Sequence, residues 1–369
     1  MVLLNHAYAF LHKVDIKFLK LNIKSILALF VIAVIVFTSI FGFGLLKKER
    51  YLSYIDPFYN EPVNSLDGVF IGSSAVYRYW LPPVAFHDTG STIYSYSTIG
   101  MPFFAYDNII KEIRKTQSPV FIAIEIRPLI RKPSSYTTDN AKYITDFMKP
   151  GNNRLFLLGD FFKTKFLYFA NISINPLRYA FPEDVGHSDS LQLAIAKKAR
   201  FKGAYPFLYG ERKVLKKPEF TSKCKPLSYN YKSELNSFLK EIDSIENCSF
   251  VFVATPWDIS KENQSKMNTA ISIITDHGYP VINMNCDSAV TSMNLDYAND
   301  FYDTRHVNVQ GQIKTTKYLM NKFKNMYNLP DHRNDPLYGS WQHSYDSFIS
   351  APINPTVQSK NFVIMKGFK

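Results

Sequence analysis

The chain has 369 residues and a formal net charge of +12 at pH 7, and 15% of its residues are aromatic, which is ample material for a buried core. The positive charge suits acidic partners such as anionic lipid headgroups or an anionic polymer, and no nucleic-acid-binding motif accompanies it. The cysteines Cys224, Cys248 and Cys286 are too scattered for a zinc site and too few for a disulfide framework.

The first long apolar run lies at 25–46 and carries no charged residue. A helix of about 22 residues is about 33 Å long, which is enough to cross a hydrocarbon core of about 30 Å. The run is too long for a signal-peptide core and has no small-x-small cleavage site, so we expect a retained transmembrane signal anchor. The lysines before it predict a cytoplasmic N-terminus and an extracytoplasmic remainder. Residues 1–24 form either an interfacial amphipathic helix or a plain cytoplasmic tail, and 47–65 form a linker.

After the linker, strand and helix patterns alternate. Apolar, β-branched runs predict buried strands at 68–72, 92–97, 119–126, 250–254 and 281–285. Apolar residues at helical spacing predict helices at 103–115, from Leu235 to Ile245, from Met267 to Ile274 and from Val309 to Tyr327. This alternation predicts an α/β fold with a doubly wound parallel sheet, and functional sites in such a fold form beyond the carboxyl ends of the strands.

Two stretches depart from the alternation. Residues 128–229 are irregular, with basic, aromatic and proline-rich pieces and a helical pattern around 191–199. We interpret them as a large insertion that covers the site or binds substrate, or else forms a peripheral packing layer. Residues 330–369 are rich in Tyr, Trp, Pro and Asn without a clear period, which indicates a C-terminal extension that wraps the domain or contacts a partner. The main domain is therefore expected at 66–329.

Two distant motifs supply the residue types of a serine acyl-transfer site. The first strand ends in Gly72-Ser73-Ser74, and Asp303-Thr-Arg-His306 precedes the last helix. A carboxylate three residues before a histidine can accept the Nδ1 proton, which leaves Nε2 free to deprotonate a serine. Both Ser74 and Ser73 are candidates for the nucleophile, and Ser73 could instead cap the following helix.

With a strand ending in FIGSS near the start and YDTRHVNVQGQIKTT running into the last helix, the chain resembles the SGNH superfamily of esterases and acyltransferases. It looks most similar to the membrane-anchored, DltD-like branch that includes teichoic-acid D-alanylation and polysaccharide O-acetylation proteins. The resemblance spans roughly residues 66–326. It implies an SGNH-type, flavodoxin-like three-layer α/β/α fold preceded by one transmembrane helix.

The resemblance also implies roles for single residues. Ser74 would be the nucleophile, His306 the general base and Asp303 the orienting carboxylate, with Asp300 a less well placed substitute for Asp303. The backbone N–H groups of Ser74 and Gly100 would form the oxyanion hole.

One element of the family pattern is missing. The family's third oxyanion donor, an asparagine after the third strand, has no counterpart in the sequence AIEIRP. Either Arg127 supplies positive charge there, or Glu125 and Arg127 pair with each other, and we expect the pairing. Arg127 and Tyr77 are also candidates for substrate binding, although an aromatic run such as the one that begins at Tyr77 more often belongs to the core.

These observations predict an extracytoplasmic, membrane-anchored serine acyltransferase that moves an acetyl or D-alanyl-like group to a hydroxyl of an envelope polysaccharide or teichoic acid. Because activated acyl donors are cytoplasmic, the resemblance implies a multi-pass membrane O-acyltransferase partner. The motifs imply no metal or dissociable cofactor. Two alternatives stay open: an esterase that removes such groups, and a non-catalytic polymer-binding member of a membrane complex, which predicts that Ser74 and His306 lie outside hydrogen-bond reach.

Overall fold

The computed structural model describes residues 25–36, 55–131, 138–164, 201–206 and 213–351. The contacts within the chain define two units. One unit comprises Met1–Tyr51 and Ile174–Asp184, and the other comprises Leu52–Ser173 and Val185–Lys369.

In the first unit the structure describes helix α1 (25–36), in which every residue is exposed. Its apolar side chains include Ile26, Leu29 and Phe30, which are 53%, 58% and 67% exposed. Among the described residues, no helix is both long enough and apolar enough to span a bilayer. Residues 37–46 of the predicted anchor lie outside the described part of the chain, as does the helical pattern predicted around 191–199.

The globular unit contains a sheet of five parallel strands in the order β2-β1-β3-β4-β5. In chain order they are β1 (Gly68–Gly72), β2 (Ile93–Ser97), β3 (Phe121–Glu125), β4 (Ser249–Ala254) and β5 (Val281–Asn283). Every residue of β1, β2 and β3 is buried, as expected for apolar strands covered on both faces. The sheet confirms the predicted α/β class and parallel arrangement, and each strand ends within two residues of its predicted limits.

Helices connect and flank these strands. The α-helices of the globular unit are α2 (Ser74–Tyr77), α3 (Pro82–Thr89), α4 (Tyr106–Ile113), α5 (Thr138–Thr145), α6 (Asn152–Thr164), α7 (Tyr229–Asp243), α8 (Lys261–Asp276), α9 (Asp287–Met293), α10 (Val309–Met326) and α11 (Gly339–Ile349). Short 3-10 helices form at Asp56–Asn60, Phe103–Ala105, Arg127–Ile130 and Pro336–Tyr338. The helix predicted at 103–115 is therefore split into a 3-10 turn and α4.

The helices cover both faces of the sheet. On one face, Val251 and Val253 of β4 belong to a core that they share with residues of α3, α9 and α10, including Phe323. Side chains alternate along a strand, so Phe252 points to the other face, where its ring lies 6.4 Å from that of Phe238 in α7. The sheet is thus the middle of three layers.

The C-terminal extension contains a helix that sequence periodicity did not reveal. Helix α11 packs on α3, with the rings of Trp341 and Phe86 5.8 Å apart and those of Tyr345 and His87 stacked at 3.8 Å. The described part of the extension is therefore anchored on α3.

The strand order locates the crevice of this fold. The chain passes from β1 to β2 on one side and then to β3 on the other, so the order reverses between β1 and β3. In doubly wound sheets the crevice beyond the carboxyl ends of the strands at such a reversal is where ligands bind. Ser74 follows β1 and Arg127 follows β3, so both lie at this crevice.

Candidate active site

The structure brings the three predicted triad residues into one hydrogen-bonded line. His306 Nε2 lies 2.8 Å from Ser74 Oγ, although 232 positions separate the two residues in the chain. His306 Nδ1 lies 2.9 Å from Asp303 Oδ2 and 3.1 Å from Oδ1. This is the connection that base-assisted attack by a serine requires, with the imidazole between the hydroxyl and the carboxylate.

The turn after β1 presents Ser74 and not Ser73 to the histidine. The Oγ of Ser73 accepts the N–H of Ala75 at 3.4 Å and donates to Glu125 Oε2 at 2.9 Å. Gly72 permits this turn, because a Cβ at that position would lie 2.6 Å from Glu125 Cβ and 2.6 Å from Val76 Cγ2. Ser73 therefore has the capping role considered from the sequence, and the hydroxyl of Ser74 points to His306.

The charges of the pair favour a neutral base beside an ionised carboxylate. Burial lowers the pKa of His306 below its usual range and outweighs the opposing effect of Asp303. Burial disfavours ionisation of Asp303, but hydrogen bonds from the His306 ring and from the N–H groups of Arg305 and His306 bring its pKa down to about 2. At neutral pH the imidazole is thus uncharged, and its Nε2, which faces the Ser74 hydroxyl, can accept the serine proton.

The backbone carbonyl just before His306 is held by two donors. The Arg305 carbonyl accepts the hydroxyl of Tyr79 at 2.7 Å and Nη1 of Arg127 at 2.8 Å. Arg127 Nη2 also donates to Tyr79 Oη at 2.8 Å and to the Pro256 carbonyl at 2.6 Å. Burial raises the pKa of Tyr79 to about 12, so its hydroxyl keeps the proton that it donates. These bonds fix the segment that carries the histidine.

The expected pairing of the Glu125 and Arg127 side chains is wrong. The Glu125 carboxylate accepts the backbone N–H of Arg127 at 2.7 Å, while the guanidinium turns toward the Arg305 carbonyl. Within the described residues, no ion pair joins the two side chains. Because Glu125 also accepts the hydroxyl of Ser73, it connects the nucleophile turn to the arginine that holds the histidine segment.

Asp300, the alternative carboxylate, is directed elsewhere. It is fully buried, and its Oδ2 lies 2.7 Å from Lys314 Nζ and 2.6 Å from the N–H of Asp296. Its backbone carbonyl accepts the N–H of Asn308 at 2.8 Å. Asp300 therefore closes the loop around Asp303 and does not orient the imidazole.

The two predicted oxyanion donors have available N–H groups. Within the described residues, neither the Ser74 N–H nor the Gly100 N–H donates to another protein group. Gly100 has a φ of 60°, and a Cβ there would lie 2.4 Å from Asn140 Nδ2 and 2.9 Å from Arg131 Nη1. The backbone angle at this position therefore favours glycine, and a larger residue would have to displace the ends of the Asn140 and Arg131 side chains. The role of these N–H groups as an oxyanion hole stays a prediction.

A cavity of about 350 Å³ opens beside the triad. Its described lining consists of Ser73, Ser74, Met101, Arg127, Pro128, Ile130, Arg131, Trp257, Asn263, Arg305 and His306. The insertion, which begins at 128, thus contributes part of the wall.

Of the two candidates for substrate binding, Arg127 lines this cavity and Tyr77 does not. Tyr77 is only 4% exposed, and its ring packs at 6.4 Å against that of Tyr205. Sequence reasoning missed Trp257, although it follows a predicted strand and such positions gather at the crevice. It also missed the cavity position of Arg131, for which no local signal exists.

Among the described residues, no group of His, Cys, Asp or Glu side chains is arranged to hold a metal ion. No protein-family model matches the chain, and no curated protein matches it. The resemblance to the SGNH superfamily accordingly remains a proposal carried by the two motifs.

Proposed function

We propose that this protein is a serine acyltransferase of the SGNH type, acting on hydroxyl groups of an envelope polysaccharide or teichoic acid. The observation that carries the proposal is the hydrogen-bonded line from Ser74 through His306 to Asp303, with contacts of 2.8 Å and 2.9 Å. The position of this line at the reversal point of a doubly wound sheet supports it further.

The reaction has two halves. The Oγ of Ser74 attacks the carbonyl carbon of an acyl ester or thioester while its proton passes to His306 Nε2, and that proton leaves with the alcohol or thiol of the donor. An acceptor hydroxyl then attacks the acyl-serine and gives its proton to His306, which returns it to Ser74 Oγ. Asp303 holds the imidazole and stabilises its charged form in each half, and the N–H groups of Ser74 and Gly100 are the proposed donors to the oxyanion.

The cellular setting belongs to the same proposal. The uncharged run at 25–46 and the exposed apolar side chains of α1 support a single transmembrane anchor with a cytoplasmic N-terminus and an extracytoplasmic catalytic domain. In that arrangement the acyl group must cross the membrane, for which we propose a multi-pass membrane O-acyltransferase partner.

The geometry of the site is compatible with one of the two alternative functions and counts against the other. An esterase uses the same acyl-serine and differs only in that water attacks it, so the triad geometry suits both activities. The non-catalytic hypothesis predicts that Ser74 and His306 are out of reach of each other, and their separation of 2.8 Å counts against it.

Intact-mass spectrometry of the detergent-solubilised full chain after exposure to 4-nitrophenyl acetate tests the proposal. We expect a single acetyl adduct in the wild type and in Ser73→Ala, and none in Ser74→Ala or His306→Ala. Added sugar acceptors separate transfer, which yields an acetylated sugar, from hydrolysis, which yields acetate. If wild type and Ser74→Ala are equally inert, the catalytic proposal fails.

A further inference from the structure

The charged side chains in the described lining of the active-site cavity are basic. Three arginines, Arg127, Arg131 and Arg305, line it, and its described lining contains no carboxylate. Arg131 Nη1 lies near Gly100, 2.9 Å from where a Cβ on that glycine would be. A group bound next to Ser74 therefore meets several guanidinium groups.

Three carboxylates close in sequence to lining residues, Asp303, Glu125 and Glu262, have partners of their own. Asp303 accepts from the His306 ring at 2.9 Å, and Glu125 is fully buried and accepts from Ser73 and from the Arg127 N–H. On the rim, Glu262 pairs with Lys266 at 2.7 Å. None of these acids contributes to the described lining of the cavity.

The dimensions of the cavity make this charge effective. A volume of 350 Å³ corresponds to a sphere about 9 Å across, which is close to the screening length of about 8 Å at physiological ionic strength. A charge anywhere in the cavity is thus within reach of the arginines. His306 also responds to nearby arginines. Burial is the largest cause that lowers the pKa of His306, Asp303 opposes it, and the charges of Arg78 and Arg127 lower that pKa further.

We propose that the cavity selects substrates by charge, taking a neutral or carboxylate-bearing acyl group and rejecting one that carries an ammonium, as an aminoacyl group does. This inference rests on the proposed function and narrows it. Of the two acyl classes considered above, acetyl-like groups fit the cavity and D-alanyl-like groups do not.

A pair of esters that differ only in the ammonium tests the selection. The full chain in detergent is given 4-nitrophenyl propionate and 4-nitrophenyl alaninate, and each kcat/KM is divided by the spontaneous hydrolysis rate of that ester. We expect the normalised value for propionate to be at least about tenfold higher, as expected for like charges in a half-buried site. Equal values, or a preference for the alaninate, would overturn charge selection and leave the proposed function standing.

Variants at the cavity wall test whether the arginines cause the preference for the propionate ester. Arg305→Gln and Arg131→Gln are each expected to reduce the preference for propionate about threefold or more. The matched control is Lys213→Gln, because Lys213 is an exposed cation near the site whose N–H bonds the Phe301 carbonyl but which does not line the cavity. If the control changes the preference as much as the arginine variants do, the inference fails.

A second measurement reads the charge without any turnover. Trp257 lines the cavity and is partly exposed, whereas Trp80 and Trp341 are 0% and 1% exposed, so dissolved ions quench chiefly the fluorescence of Trp257. Iodide is expected to quench it more strongly than caesium, Arg305→Gln to reduce that difference, and Trp257→Phe to abolish it. Quenching by caesium that equals or exceeds quenching by iodide refutes the inference. If neither ester is turned over but iodide still dominates, the proposed function fails and the positive cavity stands.

Discussion

Two aspartate–histidine pairs lie at opposite edges of the sheet. At the carboxyl edge, Asp303 and His306 are 2.9 Å apart, and at the amino edge, Asp67, just before β1, lies 3.0 Å from His332. The two contacts are nearly equal in length, and each pair has a hydroxyl-bearing residue beside it.

The pairs differ in where that hydroxyl is attached. Ser74 Oγ lies 2.8 Å from Nε2 of His306, whereas Thr92 Oγ1 donates to the carboxylate of Asp67 at 3.0 Å. Only the first order of connection, with the imidazole in the middle, lets a base take a proton from a hydroxyl. The ring of His332 instead stacks on Tyr338 at 4.0 Å, so the Asp67–His332 pair holds the C-terminal extension against the sheet. The order of the contacts, and not the residue types, makes the first pair a candidate catalytic site and the second a structural contact.

Removing each histidine is the strongest test of this comparison. His306→Ala is expected to reduce 4-nitrophenyl acetate turnover by about 10³-fold or more, because it removes the base. His332→Ala is expected to change the rate less than about twofold and to lower the thermal midpoint instead. Initial rates and circular-dichroism melts measure the two effects. Equal losses of activity in the two variants would show that the pairs are not functionally distinct.

Much of the site at the carboxyl edge could be predicted from the sequence, because the residues of each of its two motifs are close together in the chain. Two serines directly follow the strand 68–72, and the spacing of Asp303 and His306 fixes their contact within one turn. The reversal point of the sheet then brings these segments together, since parallel strands place their carboxyl ends at one edge. The five strands were found for the same reason, each being a short run of buried apolar residues.

The supports of the site could not be predicted, because they join positions far apart in the chain. The contacts of Arg127 and Tyr79 with the Arg305 carbonyl span 178 and 226 positions. Every residue has a backbone carbonyl, so the sequence does not show which carbonyl an arginine binds. The nearby glutamate therefore suggested an ion pair with Arg127 instead. Tyr77 lies in the core, which is the alternative that the sequence favoured for its aromatic run, and there it packs against Tyr205 of a distant segment.

Arg127 is expected to act as a positioning residue for the histidine. Arg127→Leu removes its donation to the Arg305 carbonyl and leaves only Tyr79, so the segment that carries His306 loses part of its support. A misplacement of about 1 Å can reduce a rate about 10²-fold, and we expect a loss of about 10- to 100-fold in kcat with KM nearly unchanged. The matched control is Arg333→Leu at the amino edge, where the guanidinium pairs with Asp331 and activity should persist. A loss confined to KM would contradict the positioning role.

The pH dependence separates positioning from general destabilisation. His306 must be neutral to accept a proton, so activity falls as the pH drops through its pKa. Burial and the nearby arginines lower that pKa, so the acid limb of kcat/KM should lie below the ordinary value of about 6.5. In Arg127→Leu one cause of the lowering is gone, and the limb should move to higher pH. An acid limb of kcat/KM above pH 6.5 in the wild type would contradict the lowered pKa of His306. An acid limb that does not move in Arg127→Leu would show that the charge of Arg127 does not act on His306.

The smallest expected effect on activity comes from changes to the Asp67–His332 pair at the amino edge. Asp67→Ala leaves the N–H of Thr92 and the ring of His332 without their acceptor, and the loss of acceptors for buried groups costs about 1 to 3 kcal/mol of unfolding free energy. The thermal midpoint should fall by several degrees while kcat/KM for 4-nitrophenyl acetate stays within about twofold of wild type at a temperature well below the transition. Thr92→Val, which keeps the backbone N–H and its bond to Asp67, should be milder. A large loss of activity in folded Asp67→Ala would mean that the amino edge supports catalysis, and the separation of the two pairs would then be wrong.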